Sequence, residues 1–152
     1  ANILGNGRSS RLHRKMVTED KSAAQVAVLN GYPGTKYPNL IIFLAVPAQG
    51  HTIEECLKTI NKEIETIKTT PVTSGELKKF KRNSYVGSIN QMKSNASMAQ
   101  LLTTAEVISG GWETLFTNIN KVNRVTANDI SAAANTYLIK TQRTVAKLLP
   151  EK

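Results

Sequence analysis

Residues 3–26 read ILGNGRSSRLHRKMVTEDKSAAQV, and this stretch decides the fold. Its apolar start, followed by Gly5 and Gly7, is typical of a helix that ends at glycine. Either Ser9 or Ser10 then has a side chain suited to capping a second, short helix. The stretch therefore predicts two short helices joined by a tight turn.

The second of these helices is predicted to bury one face. Its inward side chains recur at helical spacing and are Leu12, Met16 and Val17. Asp20-Lys21 is predicted to end the helix, and Ala24 then lies in a strand. Val17 and Ala24 are both interpreted as packing residues.

Three strands are predicted from apolar runs. The first covers residues 23–29 and is followed by a turn cluster at 30–34. The second covers 40–46 and is apolar on both faces, which favours a central position in its sheet. A closing strand is predicted over 144–149, before Pro150.

Two capping boxes mark the starts of long helices. Thr52 is followed three residues later by Glu55, and Thr73 is followed by Glu76. In this pattern the hydroxyl and the carboxylate each satisfy a backbone amide that the first helical turn leaves unpaired. We therefore expect helices to begin at both places, the first one ending at Pro71.

The remaining chain also has helical patterns. Helices are predicted over 98–108, stopped by Gly110, over 112–119, and from Thr126 to about residue 138. The order is helix, strand, strand, several helices, strand. This order predicts an α+β fold with a mainly antiparallel sheet and helices packed on one face.

Length and composition fit one domain covering residues 1–152. Hydrophobic residues make up 40% and charged residues 20%, which indicates an ordinary globular protein. No apolar run is long enough to span a bilayer. A single cysteine, Cys56, excludes an internal disulfide and is interpreted as a small buried apolar residue.

The net charge of +9 raises the possibility of a module that binds nucleic acid or an acidic surface. The basic residues do not form one long run. They include two small clusters, which are Arg8, Arg11, Arg14 and Lys15, and Lys78, Lys79, Lys81 and Arg82. Aromatic residues make up only 5% of the chain, whereas stacking on single strands requires several aromatic side chains among the basic ones. We therefore interpret the clusters as solvated helix faces, with no nucleic acid among the expected partners.

Catalytic and metal-binding patterns are scarce. His13 and His51 are the two histidines, and neither lies in an H-E-x-x-H or H-x-x-E-H motif. The glycine-rich residues 5–10 lack the Lys-Ser/Thr pair of a phosphate-binding loop. No catalytic residues, metal ligands or cofactor are therefore predicted for this chain.

In several places the chain resembles the second domain of a half of the insulinase, pitrilysin and mitochondrial processing peptidase family of zinc metallopeptidases. Residues 3–26 are similar to a helix ending in L-G-G-G followed by S-S-R-L. Residues 71–81 resemble the start of the family's T-x-x-E-L helix, residues 125–138 resemble V-T-x-x-D-i…Y-L, and 148–150 a terminal l-x-P. The positions that match the first motif are Gly5, Gly7, Ser9, Ser10, Arg11 and Leu12.

Two departures from the family pattern matter. The zinc-binding H-x-x-E-H belongs to the family's first domain, so the resemblance implies zinc in a domain preceding Ala1 and an inactive chain here. Some second domains carry an Arg and a Tyr seven residues apart that help to hold substrate. Val17 and Ala24 occupy those positions, which implies that a partner half supplies the pair.

The resemblance implies a C-terminal, non-catalytic domain that helps to enclose peptides between two homologous halves. Its partners would be the zinc-bearing domain, the second half and peptide substrate, and bacterial relatives are often periplasmic. The family's first strand would precede Ala1, so the domain is expected to be N-terminally incomplete and to self-associate through an exposed sheet edge. The alternatives are an inactive assembly or peptide-binding homologue and the nucleic-acid-binding module.

Overall fold

The computed structural model describes residues 1–149, which form two compact units. The first unit comprises residues 1–30, 41–71 and 128–149, and the second comprises 31–40 and 72–127. The elements in chain order are α1 Asn2–Gly5, a π-helix His13–Glu19, β1 Ala23–Tyr32, β2 Leu40–Pro47, α2 Ile53–Thr69, α3 Ser74–Gln91, α4 Asn95–Ser109, α5 Thr114–Arg124, α6 Ala127–Tyr137 and a 3-10 turn Lys140–Gln142. The α+β prediction is confirmed: helices accompany a two-stranded antiparallel sheet, β1–β2.

The core of the first unit comes from its short helices, β1, α2 and α6. Its buried apolar side chains are Leu4, Leu12, Met16, Ala23, Val26, Val28, Cys56, Ile60, Ile67 and Ala134. Among the described residues, Leu12 and Met16 are the largest side chains that are completely buried. The stretch chosen from the sequence therefore supplies the centre of this core.

Gly5 is the point where α1 meets β1. A Cβ atom at this position would lie 2.2 Å from Cγ2 and 2.8 Å from Cβ of Val28, and 2.9 Å from the Val28 backbone nitrogen. Contacts this short overlap the van der Waals radii, and the nitrogen belongs to the strand backbone. Glycine at this position therefore lets the helix approach the strand closely.

The second short helix differs from its prediction in type and in its start. It is a π-helix, in which the Asp20 amide donates to the Lys15 carbonyl at 2.9 Å, an i to i−5 bond. Ser10 does not cap it, because the Ser10 hydroxyl donates to the Gly7 carbonyl at 2.8 Å. Leu12 and Met16 are four residues apart, a spacing that fits both an α-helix and a π-helix. The sequence could therefore not distinguish the two helix types.

Both capping boxes are confirmed. The Glu55 amide donates to Thr52 Oγ1 at 3.2 Å, and the Thr52 amide donates to Glu55 Oε2 at 3.2 Å. The corresponding bonds between Glu76 and Thr73 measure 3.2 and 2.9 Å. These local pairings explain why α2 and α3 begin where the sequence indicates.

Two strand predictions are wrong. Among the described residues β2 pairs only with β1 and is not central, and the side chains of Leu44 and Val46 are about half exposed. Residues 144–149 form no strand. Instead, Lys147 pairs with Glu54 of α2 at 2.6 Å, and Arg143 donates to Asn61 of the same helix. An apolar run indicates strand propensity, but the strand also needs a neighbour whose backbone is free to pair.

Smaller differences concern boundaries. β1 continues to Tyr32. The turn therefore begins at Pro33, three residues after its predicted start at residue 30. α4 begins after Ser94, whose hydroxyl accepts from the Ser97 amide at 3.1 Å, and it ends at Gly110 with φ +73°. α5 packs against both α3 and α4 in the second unit. Pro150, which was predicted to end the closing strand, lies outside the described residues.

Candidate binding surfaces

Of the six motif positions, Gly5, Gly7, Ser10 and Leu12 are buried or hydrogen-bonded within the first unit. Gly5 and Leu12 are buried in the first unit, and Ser10 is 4% exposed and bonded to the Gly7 carbonyl. Ser9 is exposed and Arg11 half-buried. The geometry therefore assigns most of this motif to joining α1, the π-helix and β1.

Val17 and Ala24 differ from each other. Val17 lies in the π-helix and is half-buried, in line with a packing role, whereas Ala24 is exposed in β1. The packing interpretation of Ala24 is therefore wrong. Val26 and Val28 lie on the same face of β1 as Ala24 and are buried. The buried part of this face therefore begins at Val26, two residues after Ala24.

The histidines lie in different settings. His13 is half-buried, and its Nδ1 has no hydrogen-bond partner among residues 1–149. His51 Nδ1 lies 2.9 Å from Glu55 Oε2, and this hydrogen bond, together with the Thr52 amide, lowers the pKa of Glu55. A hydrogen bond from Lys147 likewise lowers the pKa of Glu54.

Potential metal ligands are dispersed. Within the described part of the chain, no three His, Cys, Asp or Glu side chains lie close enough together to hold a metal ion. Cys56 is 2% exposed, and its thiol donates to the Ser22 carbonyl at 3.5 Å, as its assignment to the core predicts. Burial, and secondly the charge of Glu55, raises the pKa of this thiol.

Part of the N-terminal basic cluster is paired within the chain. Arg14 lies 3.4 Å from Glu19, and Lys15 lies 3.0 Å from Asp20. These carboxylates, Asp20 first, raise the pKa of Lys15. In the second cluster, Lys81 donates to the Asn123 carbonyl at 2.8 Å. The ion pairs of Arg14 and Lys15 reduce the charge that the first cluster presents to an acidic partner, whereas the carbonyl contact of Lys81 restrains its side chain and leaves its charge.

The sheet leaves one edge of each strand without a paired strand among the described residues, and several apolar side chains of the sheet are exposed. Each strand has a neighbour on one side only within the described residues. Leu29 of β1 is 46% exposed, and Leu44 and Val46 of β2 are 49% and 54% exposed. An accessible strand edge with apolar side chains is a surface to which an extended chain can add a further strand.

A second surface lies in the helical unit and was not predicted. α4 and α5 form a groove of about 800 Å³, lined by Met98, Leu102, Thr103, Glu106, Val107, Trp112 and Phe116. The Trp112 and Phe116 rings meet edge to face with centroids 6.2 Å apart. The sequence showed the helices, but not that their apolar side chains would remain uncovered.

Comparison with solved structures identifies the fold. The sequence matches no protein-family model and no curated protein. The structure is similar to "the Inactive Peptidase Domain of a Putative Zinc Protease" from Bordetella parapertussis, with a TM-score of 0.86 and 24% identity over 100% of this chain and 81% of that one. A protease from Helicobacter pylori gives 0.84 and 24% over 93% of this chain, and the peptidase M16 inactive domain from Pseudomonas fluorescens gives 0.75 and 21% over 91%.

The chain therefore has an α+β fold of the type found in inactive domains of M16 peptidases, the fold that the resemblance implied. It spans about a third of two of these relatives, 33% of the Helicobacter pylori chain and 32% of the Pseudomonas fluorescens chain. No helix among the described residues is both long and apolar enough to cross a membrane.

Proposed function

We propose that this chain is a non-catalytic domain of an insulinase-type zinc metallopeptidase, where it forms part of the wall of a peptide-binding chamber. The observation that carries the proposal is the match over the whole chain to an inactive peptidase domain, at a TM-score of 0.86. In this proposal zinc and its ligands belong to a preceding domain, and a second homologous half closes the chamber.

The distribution of side chains supports a role in the wall. The motif at residues 5–12 joins helices to β1, and Val17 and Ala24 offer no side-chain hydrogen bond to a substrate. The strand edges, in contrast, carry backbone groups that an extended peptide can pair with. A peptide held in this way would be presented to a catalytic centre elsewhere in the complete protease.

The first prediction is that this chain alone neither binds stoichiometric zinc nor cleaves peptides. The described residues offer no three-ligand cluster, whereas a catalytic zinc site needs three protein ligands and an open position. The measurements are elemental analysis of the purified chain and the rate at which it hydrolyses a flexible, internally quenched fluorescent peptide.

The matched experiment adds a preceding domain that carries H-x-x-E-H, together with a second homologous half. Hydrolysis should rise when this chain is added to those two parts, and it should disappear after chelation of zinc. One tightly bound zinc per isolated chain, accompanied by hydrolysis, would contradict the proposal.

The second prediction is that the isolated chain self-associates through its strands. Leu44 is 49% exposed in β2, and a strand with an open edge can pair with a copy of itself. We expect sedimentation to show an assembly that Leu44→Lys weakens, because a lysine on an edge strand opposes further pairing.

Leu148→Lys is the matched control, since Leu148 is 95% exposed and lies outside any strand. This variant should sediment like the unmodified chain. A monomer at high micromolar concentration, before any substitution, would show that the strand edges do not associate.

A further inference from the structure

We propose that the groove between α4 and α5 is a docking site for a peptide segment that combines bulky apolar side chains with lysine or arginine. The groove belongs wholly to the helical unit, and its volume of about 800 Å³ can hold several large side chains. Binding there requires no peptidase activity, so this proposal can be tested separately from the chamber function.

The apolar part of the argument rests on uncovered side chains. Val107 is 59% exposed, Trp112 49% and Phe116 45%, and all three line the groove. Large aromatic side chains in a concave, accessible position are typical anchors of peptide recognition. An occupant would remove this apolar surface from water.

The charge of the groove opposes that of the rest of the protein. The chain carries +9, yet no lysine or arginine occurs between Lys93 and Lys121, where the charged residues are Glu106 and Glu113. Glu106 lies in the groove and accepts from the Trp112 backbone amide at 2.9 Å through one oxygen, Oε2. Among the described residues Glu106 forms no salt bridge, so its carboxylate remains able to pair with a cation of the occupant.

The combination of apolar walls and an unneutralised carboxylate selects one kind of occupant. An acidic segment would place like charges together in the groove, which opposes binding. A basic, apolar peptide satisfies both the aromatic side chains and Glu106. Raising the salt concentration should weaken its binding, because the ion pair is accessible to solvent.

The fluorescence emission of Trp112 measures peptide binding to the groove. Trp112 is the only tryptophan in the protein, so its emission reports on this groove alone. The probe is a synthetic amphipathic peptide with leucine and phenylalanine on one helical face and arginine at the border of that face, where it can reach Glu106. The comparison peptides replace arginine by glutamate, or leucine and phenylalanine by alanine.

We expect the arginine peptide to shift Trp112 emission to shorter wavelength and to bind most tightly of the three peptides. Glu106→Gln should weaken it about two- to five-fold, the range expected for one exposed ion pair, while the new amide oxygen can still accept from the Trp112 amide. Glu106→Lys should weaken the arginine peptide further and strengthen the glutamate peptide. Phe116→Ala should weaken binding about ten-fold by removing an aromatic anchor.

Glu63→Gln on α2 is the matched control, since it makes the same change of charge in the other unit, and it should leave binding unchanged. Equal affinity for all three peptides, or equal effects of Glu106→Gln and Glu63→Gln, would overturn the proposal. So would an emission shift that follows protein concentration without any peptide, because a second copy would then occupy the groove.

Discussion

Replacing Gly5 by alanine is expected to reduce the free energy of unfolding by roughly 3 kcal/mol, the upper part of the range for overpacking a tight site. The added Cβ would lie 2.2 Å from Val28 Cγ2 and 2.9 Å from the Val28 backbone nitrogen. A side chain could rotate away, but the strand backbone can move only if α1 moves from β1. Urea denaturation followed by circular dichroism measures the loss.

Gly87→Ala is the matched control, because the substitution is the same and the space around Gly87 is open. Gly87 lies inside α3, where alanine is more favourable than glycine by about 0.5–1 kcal/mol. The two variants should therefore move stability in opposite directions. If Gly5→Ala were as stable as the unmodified protein, the close approach of α1 to β1 would not exist in solution.

Leu12→Ala is expected to cost about 2–5 kcal/mol. Leu12 is completely buried beside the similarly buried Met16 at the centre of the first unit. Removing its isobutyl group loses apolar burial and leaves a cavity that the π-helix cannot easily close. The midpoint of urea denaturation should fall accordingly.

Leu148→Ala makes the same chemical change at a side chain that is 95% exposed. Its effect should stay within about 0.5 kcal/mol, as is usual for surface substitutions. A cost for Leu12→Ala no larger than that of Leu148→Ala would contradict the assignment of residues 3–26 to the core.

Features that depend on neighbouring residues were predicted well from the sequence. The capping boxes at Thr52 and Thr73 were correct because the donors and acceptors lie within one helical turn. Gly110 ends α4 in the left-handed conformation that glycine adopts readily. The burial of Cys56 also followed from its place on the apolar face of α2.

Features that depend on distant partners were predicted poorly. β2 was expected to be central because it is apolar on both faces, yet apolar side chains do not specify which element covers them. Residues 144–149 have strand-forming side chains, but Lys147 pairs with Glu54 on α2. The choice between α- and π-helix at residues 13–19 was equally hidden, since four-residue spacing fits both.

The candidate surfaces were only partly visible in the sequence. The exposed sheet edge was predicted, although from a resemblance and not from the residues of the strands themselves. The groove was missed because the sequence pattern predicted α4 and α5 as helices without indicating which of their apolar side chains would remain uncovered. The absence of lysine and arginine from residues 94–120, in a chain of net charge +9, was the signal that could have revealed it.

The single thiol gives this protein an internal measure of local opening. Cys56 is shielded by the segment that precedes β1, and its thiol donates to the Ser22 carbonyl. A thiol reagent can react only when that segment and α2 separate, and the raised pKa of the thiol slows the reaction further. The labelling rate under native conditions therefore reports how often the contact between the segment before β1 and α2 opens. The measurement needs no denaturant and follows a single atom, the Cys56 sulfur.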